Sequence, residues 1–381
     1  MAIYLDHAAT SPLRPEVLDA MLPYLTEHHG NPSSIHASGR RARQGLDEAR
    51  EVIANHIGAK PREIVFTSGG SEADNLAIKG VAWAASAKGR HIITSSVEHK
   101  AVMNTCAILA RQGFKITYCP GDRYVRVDPA DLASTITEHT TLVSIMAASN
   151  EVGTVQPVAE IGAICRERKV VFHADAVQAA AFGPPTPDAW QATLISLSAH
   201  KLGGPKGIGA LYVRAGTPIV AQMNGGAQER QRRAGTENVA AAVGFAAAMR
   251  VAYDASPPLA LRDRLIAGLT AMPGVALTGH PSERLPNSAS VLVDGIEGGD
   301  LVAALDLEGV EASTGSACTT GSVEPSHVLL AMGIDEGRAH GSLRLTLGRE
   351  TTEADIDRTL TVVATCLERL RASAPTMVAS A

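Results

Sequence analysis

The chain has 381 residues, 45% hydrophobic and 19% charged, with a formal net charge of −5. That length exceeds what a single hydrophobic core usually supports, so two lobes are expected, and an acidic balance without a dense Lys/Arg block argues against nucleic acid as the main partner. Five widely spaced cysteines, Cys106, Cys119, Cys165, Cys318 and Cys366, form neither a CxxC metal pair nor a disulfide framework, so reduced thiols and no resident metal are expected.

The opening "MAIYLDHAAT" has neither a basic n-region nor an apolar h-region, and no run approaches the ~18 apolar residues of a membrane span. A soluble, cytoplasmic protein with no membrane partner is expected. Helical stretches then alternate with short runs rich in β-branched residues: "IVFTS", "HIITSS", "FKITYC", "TLVSIMAAS", "KVVFHAD", "LISLS" and "GALYV". Most are apolar on successive residues, as in strands buried on both faces of a mostly parallel sheet covered by helices. An α/β layer fold follows. Between the last two runs lies "AHKLGGPKGI", which carries His200, Lys201 and Lys206.

The alternation stops at "DASPPLALRD", where Pro257 and Pro258 end a long Ala-rich helix. A boundary near residue 256 is read there, giving a large domain over 14–256 and a smaller α+β domain from 1–13 and 257–381. The small domain reads as helix, strand "SASVLVDG", helix "GGDLVAALDLEG", a Gly/Ser/Thr loop at about 313–327, strand "GSLRLTLG" and a last amphipathic helix.

Polar residues recur where these strands end. "FTSGGSEADNLAIKG" leaves a strand through glycines into a helix start, where free N–H groups and the helix dipole suit an anion such as phosphate; a plain helix cap has the same composition. Asp175 closes "KVVFHAD", either as a cap or as a ligand carboxylate, and buried it needs a cationic partner. His99, Asn150, Ser198, His200 and Lys201 stand at other strand ends of the same sheet. A lysine, a strand-end carboxylate, an aromatic-type ring and a phosphate-binding helix start are what pyridoxal 5'-phosphate chemistry asks of a protein. Cys318 lies in the Gly/Ser/Thr run, where an exposed thiolate can act, and Arg344 sits among leucines, as an edge-strand arginine or as a carboxylate clamp. "ERQRRAG" is a basic cluster, a solvated loop, an anion contact or a subunit contact.

These residues resemble the cysteine desulfurases of the NifS/IscS-like group, pyridoxal-phosphate enzymes of fold type I and aminotransferase class V. The motifs run in order from "YLDHAAT", "GNPSSIHASGRRAR" and "FTSGGSEADNLAIKG" through "EHKAV", "SNEVGTVQP", "HADAVQ" and "SAHKLGGPKGIGALYV" to "GGAQERQRRAGTENV", "STGSACTTGSVEPSHVL" and "SLRLTLGR". The resemblance implies a seven-stranded, mostly parallel sheet in the large domain. It makes Lys201 the Schiff-base lysine, His99 the ring stacked on the cofactor and an acid/base, and Asp175 the partner of the ring nitrogen. Gln178 would bond the phenolic oxygen, and Gly70, Ser71, Ser198 and His200 would hold the phosphate. Thr236 would reach the phosphate of a neighbouring subunit, implying a homodimer. Asn31, Asn150 and Arg344 would orient L-cysteine, and Cys318 would take its sulfur as a persulfide for delivery to an acceptor protein, such as an iron–sulfur scaffold or a tRNA-thiolation enzyme. Cys318 would be at most a transient cluster ligand.

The group commonly carries Ala-Thr where this chain has Gly70-Ser71, which keeps a hydroxyl and loosens the backbone. A selenocysteine lyase or another class-V aminotransferase would use the same lysine, aspartate and histidine, whereas Cys318 in its loop favours desulfuration. A silent sulfur-carrier or assembly subunit would not need Lys201, Asp175 and Arg344.

Overall fold

The computed structural model describes residues 2–252, 258–315 and 325–373. The boundary read at 256, Cys318 and the last eight positions lie outside the described residues.

After a short strand β1 (Ile3–Tyr4), seven strands build the main sheet: β2 (Ile64–Thr67), β3 (His91–Ser95), β4 (Lys115–Cys119), β5 (Thr140–Met146), β6 (Val171–Asp175), β7 (Leu194–Ser198) and β8 (Gly209–Val213). Their order is β2-β8-β7-β6-β5-β3-β4, with only β8 antiparallel to its neighbours. Every residue of β2, β3, β5, β7 and β8 is buried, the two-sided burial that unbroken apolar runs encode. The edge strand β4 is half exposed. Helices pack against both faces, so that Phe172 and Ile195 join one core cluster and Leu142 and Leu194 the other. These faces alternate along each strand.

The smaller α+β lobe holds β9 (Val275–Leu277), β10 (Ser288–Val293), β11 (Val310–Glu311) and β12 (Ser342–Thr346). β12, β10 and β9 form an antiparallel sheet, and helix Glu353–Ser373 packs on the helices Leu259–Thr270 and Gly298–Leu307. Its core draws in Ile3 and Leu5, because β1 pairs in parallel with β11. Residues 3–10 then cross towards the main sheet: Asp6 bridges Thr346, and Ser11 N–H donates to the carbonyl of His200 at 3.0 Å. No described helix is long and apolar enough to cross a membrane.

Candidate active site

The C-terminal ends of β2, β3, β5, β6 and β7 open into a cavity of about 560 Å³ walled on its far side by residues 8–10 and by Gly315, Pro325, Ser326, His327 and Arg344 of the smaller lobe. Ligands bind at this edge of open α/β sheets because the helix starts and strand-end side chains converge there. Gly70, Ser71, His99, Asn150, Asp175, Gln178, Ser198, His200, Lys201 and Arg344 all line it. Lys206 lines it too, so both candidate amines reach the same space.

Lys201 sits in a short 3-10 turn after β7 that ends in Gly203 at φ 77°, left-handed backbone that glycine adopts without strain. Its Nζ donates to the carbonyls of Ala8 and, at 2.7 Å, of Ala9. Gln178 Nε2 also donates to Ala8 O, at 2.9 Å. The N-terminal crossing therefore positions the amine. His200 Nδ1 lies 3.1 Å from Thr10 Oγ1, and burial beside Lys201 and Lys206 drops its pKa to about 4. In this setting the ring is held in its neutral, hydrogen-bonding form.

Asp175 caps the turn that follows β6. Its Oδ1 accepts from Val177 N–H at 2.9 Å, as a cap does, while the carboxyl faces His99 and Lys201, which oppose the upward pull of burial on its pKa. His99 N-caps helix Lys100–Arg111, accepting from Ala101 N–H at 3.1 Å, which pins its ring at the end of β3. The Gly70 start of helix Gly70–Ala84 packs so closely that a Cβ there would stand 2.6 Å from Val177 Cγ2. Glycine suits that approach.

Arg344 differs from an open carboxylate clamp. One terminal nitrogen donates to Asn150 O at 2.9 Å and the other pairs with Asp6 at 2.8 Å, leaving Nε buried without a hydrogen bond. The pairing with Asp6 was not legible, because it depends on the crossing. Asn31 and Thr236 are exposed and stand outside the cavity wall of the single chain. Thr236 follows a loop that is built rather than merely solvated. Glu229, Arg230 and Gln231 take φ of 46°, 56° and 63°, and the buried Glu229 carboxylate accepts from both terminal nitrogens of Arg50 (2.6 and 2.7 Å) and from Phe66 N–H (2.9 Å).

Sequence reasoning missed the buried acids. Asp74 lines the cavity, with Oδ1 lacking a hydrogen bond and 3.7 Å from His173 Nε2; burial and the neighbouring Asp175 push its pKa well up. Glu98 accepts at Oε1 from Ser95 Oγ (2.6 Å) and Met146 N–H (3.0 Å), while Oε2 has no partner and burial pushes its pKa up to about 8. Glu151 in "SNEVGTVQP" is buried at the same edge. Each stands inside a quoted motif beside a selected residue, and an acid in so apolar a setting was the available signal. The four described cysteines are buried, with every thiol pKa raised by desolvation, so none is a ready nucleophile. Among the described residues no group of three His, Cys, Asp or Glu is placed to hold a metal ion.

Donors at a glycine-led helix start, a lysine, a strand-end carboxylate and an unpartnered buried Asp74 oxygen fit a phosphorylated, cationic-ring cofactor. Comparison with known proteins agrees in kind. The family Aminotransferase class-V matches residues 3–359. The chain is 50% identical over 379 residues to a protein of Methanosarcina thermophila named cysteine desulfurase IscS, covering 98% of this chain and 94% of that one. A solved NifS-like protein superposes with a TM-score of 0.91 at 38% identity, covering 97% of this chain and 100% of the other. A solved structure of SspA in complex with cysteine superposes with a TM-score of 0.82 at 34% identity, over 92% and 100%.

Proposed function

Since the chain belongs to the aminotransferase class-V family, in its cysteine desulfurase group, we propose that it binds pyridoxal 5'-phosphate in the cavity and converts L-cysteine to L-alanine, passing the sulfur to Cys318. The observation that carries this reading is the convergence of Lys201, His99 and Asp175 on one cavity, with Arg344 in its wall. Gly70, Ser71, Ser198 and His200 would hold the phosphate, Gln178 the phenolic oxygen and Asp175 the ring nitrogen. When bound, the cofactor supplies a covalent link for an amine and an electron-accepting ring.

Lys201 provides that amine and, once released, carries the substrate's α-proton. His99, fixed by its capping bond, is the second proton carrier and accepts the thiol proton. Arg344 and Asn150 receive the substrate carboxylate, an approach in which that carboxylate competes with Asp6 for the guanidinium. The Cys318 thiolate attacks the substrate sulfur. A sulfur–sulfur bond forms as the carbon–sulfur bond breaks, and a proton returned to carbon gives L-alanine and the Cys318 persulfide. Asn31 and Thr236, exposed in one chain, would act across a homodimer. The persulfide would be delivered to a sulfur-acceptor protein.

Incubation with L-cysteine, with alanine and sulfide measured for wild type and Cys318→Ala, tests this. Cys318→Ala should lose sulfur transfer, and full activity without Cys318 would overturn the persulfide role. Transamination of alanine with a keto acid in place of desulfuration would make it an aminotransferase. Borohydride reduction and peptide mapping should label Lys201, and label on Lys206 would reassign the amine.

A further inference from the structure

The segment containing Cys318 leaves the described structure after Gly315 and returns at Pro325, and both ends lie in the cavity wall. One buried carboxylate lies beside both ends. Glu151, only 7% exposed, accepts a hydrogen bond at Oε2 from Ser326 Oγ. Ser326 caps helix His327–Ala331, its oxygen taking the N–H groups of Val328 and Leu329 at 3.2 and 3.3 Å. The hydroxyl hydrogen is thus the part left for Glu151. A Cβ built on Gly315 would stand 3.2 Å from the same Oε2, so the departing backbone runs beside the carboxylate with room for no side chain between them. Upstream, Ser313 exchanges backbone bonds with Arg344, at 2.7 and 3.2 Å.

Glu151 itself follows β5 in the large lobe, and its N–H is 3.3 Å from Ser149 Oγ. The carbonyl of its neighbour Asn150 accepts from Arg344. The carboxyl is therefore a junction between the large lobe and the two roots of the cysteine-bearing segment. Burial raises its pKa, while Ser326 and the cations Arg344, Lys100 and His99 pull it back. Without it, Ser326 would keep a buried donor with no acceptor.

We propose that Glu151 is a positioning residue, its carboxylate holding Ser326 by a hydrogen bond and packing beside Gly315 at the cavity wall, and so fixing where the Cys318 segment begins and ends relative to Lys201. The kinetic consequence rests on Cys318 being the sulfur acceptor. The tie itself does not.

The test uses holoenzyme carrying Glu151→Ala or Glu151→Gln, read in two ways. By hydrogen exchange, Glu151→Ala should speed exchange at both 313–315 and 326–330, and Glu151→Gln, whose amide oxygen still accepts from Ser326, should restore most of the protection. By kinetics, persulfide formation on Cys318 after mixing with L-cysteine should slow about tenfold or more in Glu151→Ala, as small misplacements of reacting groups do, with KM and the cofactor's visible absorption unchanged. Glu151→Gln should recover most of that rate. Faster exchange at one root only, unchanged exchange, or a Gln variant as impaired as Ala overturns the tie. If Cys318→Ala retains full activity, the acceptor assignment fails, and the exchange at the two roots still decides the tie.

Discussion

The two ends of the main sheet each bury a polar cluster, and they treat it oppositely. At the N-terminal edge His91, 3% exposed, has both ring nitrogens engaged at 2.8 Å, one by Thr140 and the other by Thr117. At the C-terminal edge Asp74, Glu98 and Arg344, equally buried, each retain an atom with no hydrogen bond. Buried polar groups are normally satisfied, so the first cluster stabilises and the second holds binding capacity in reserve. Within one sheet, unmet hydrogen-bonding capacity separates the working end from the structural end.

The sharpest way to test that contrast is Lys201→Ala, which should lower desulfurase turnover at least about a thousandfold, as loss of a covalent group does, with little change in melting temperature. Asp175→Ala should cost about a hundredfold or more in turnover and weaken cofactor retention on dialysis, since the ring nitrogen then has no buried carboxylate partner. Retention equal to wild type would move the ring elsewhere.

A stability effect comes next. With a pKa pushed up to about 8 from the ordinary 4.5 of a glutamate, Glu98 binds a proton in the folded state that the unfolded chain has released over that interval. Its stabilisation is therefore complete below pH 4.5 and is lost as pH rises towards 8. Glu98→Gln, which mimics the protonated form, should be more stable than wild type at pH 8.5, by up to about a few kcal/mol in denaturant unfolding, and should nearly match it at pH 5. His200 and His173 have the opposite sense. Their pKa values fall from 6.5 to about 4 and about 3, so their contribution is fully present above 6.5 and is lost as pH falls from there through about 4 for His200 and about 3 for His173. The smallest effect on catalysis belongs to the other edge: His91→Val should cost about 1–3 kcal/mol of stability by stranding two threonine hydroxyls, and leave KM and turnover unchanged.

Much of this was legible in the chain. Unbroken apolar runs gave the parallel strands, and polar residues at their ends gave the cavity's large-lobe wall. The antiparallel sense of β8 was hidden, because burial on both faces reads alike in either direction. The partners of Arg344 and Lys201 were hidden for another reason. Asp6, Ala8 and Ala9 are remote in sequence and reach the site only through the crossing of residues 3–10, which local pattern does not encode. The buried acids were passed over because charge in a loop reads as solvated until the fold encloses it.

The crossing also orders events in time. Ile3 pairs with Val310, and Ala8 N–H donates to Thr346 Oγ1 at 2.8 Å, so these residues find partners that lie more than 300 positions away along the chain. Contacts of such sequence separation close slowly. Until the crossing of residues 3–10 is in place, the amine of Lys201 lacks the Ala8 and Ala9 carbonyls that aim it, so the main sheet can be assembled and still be unable to present its lysine.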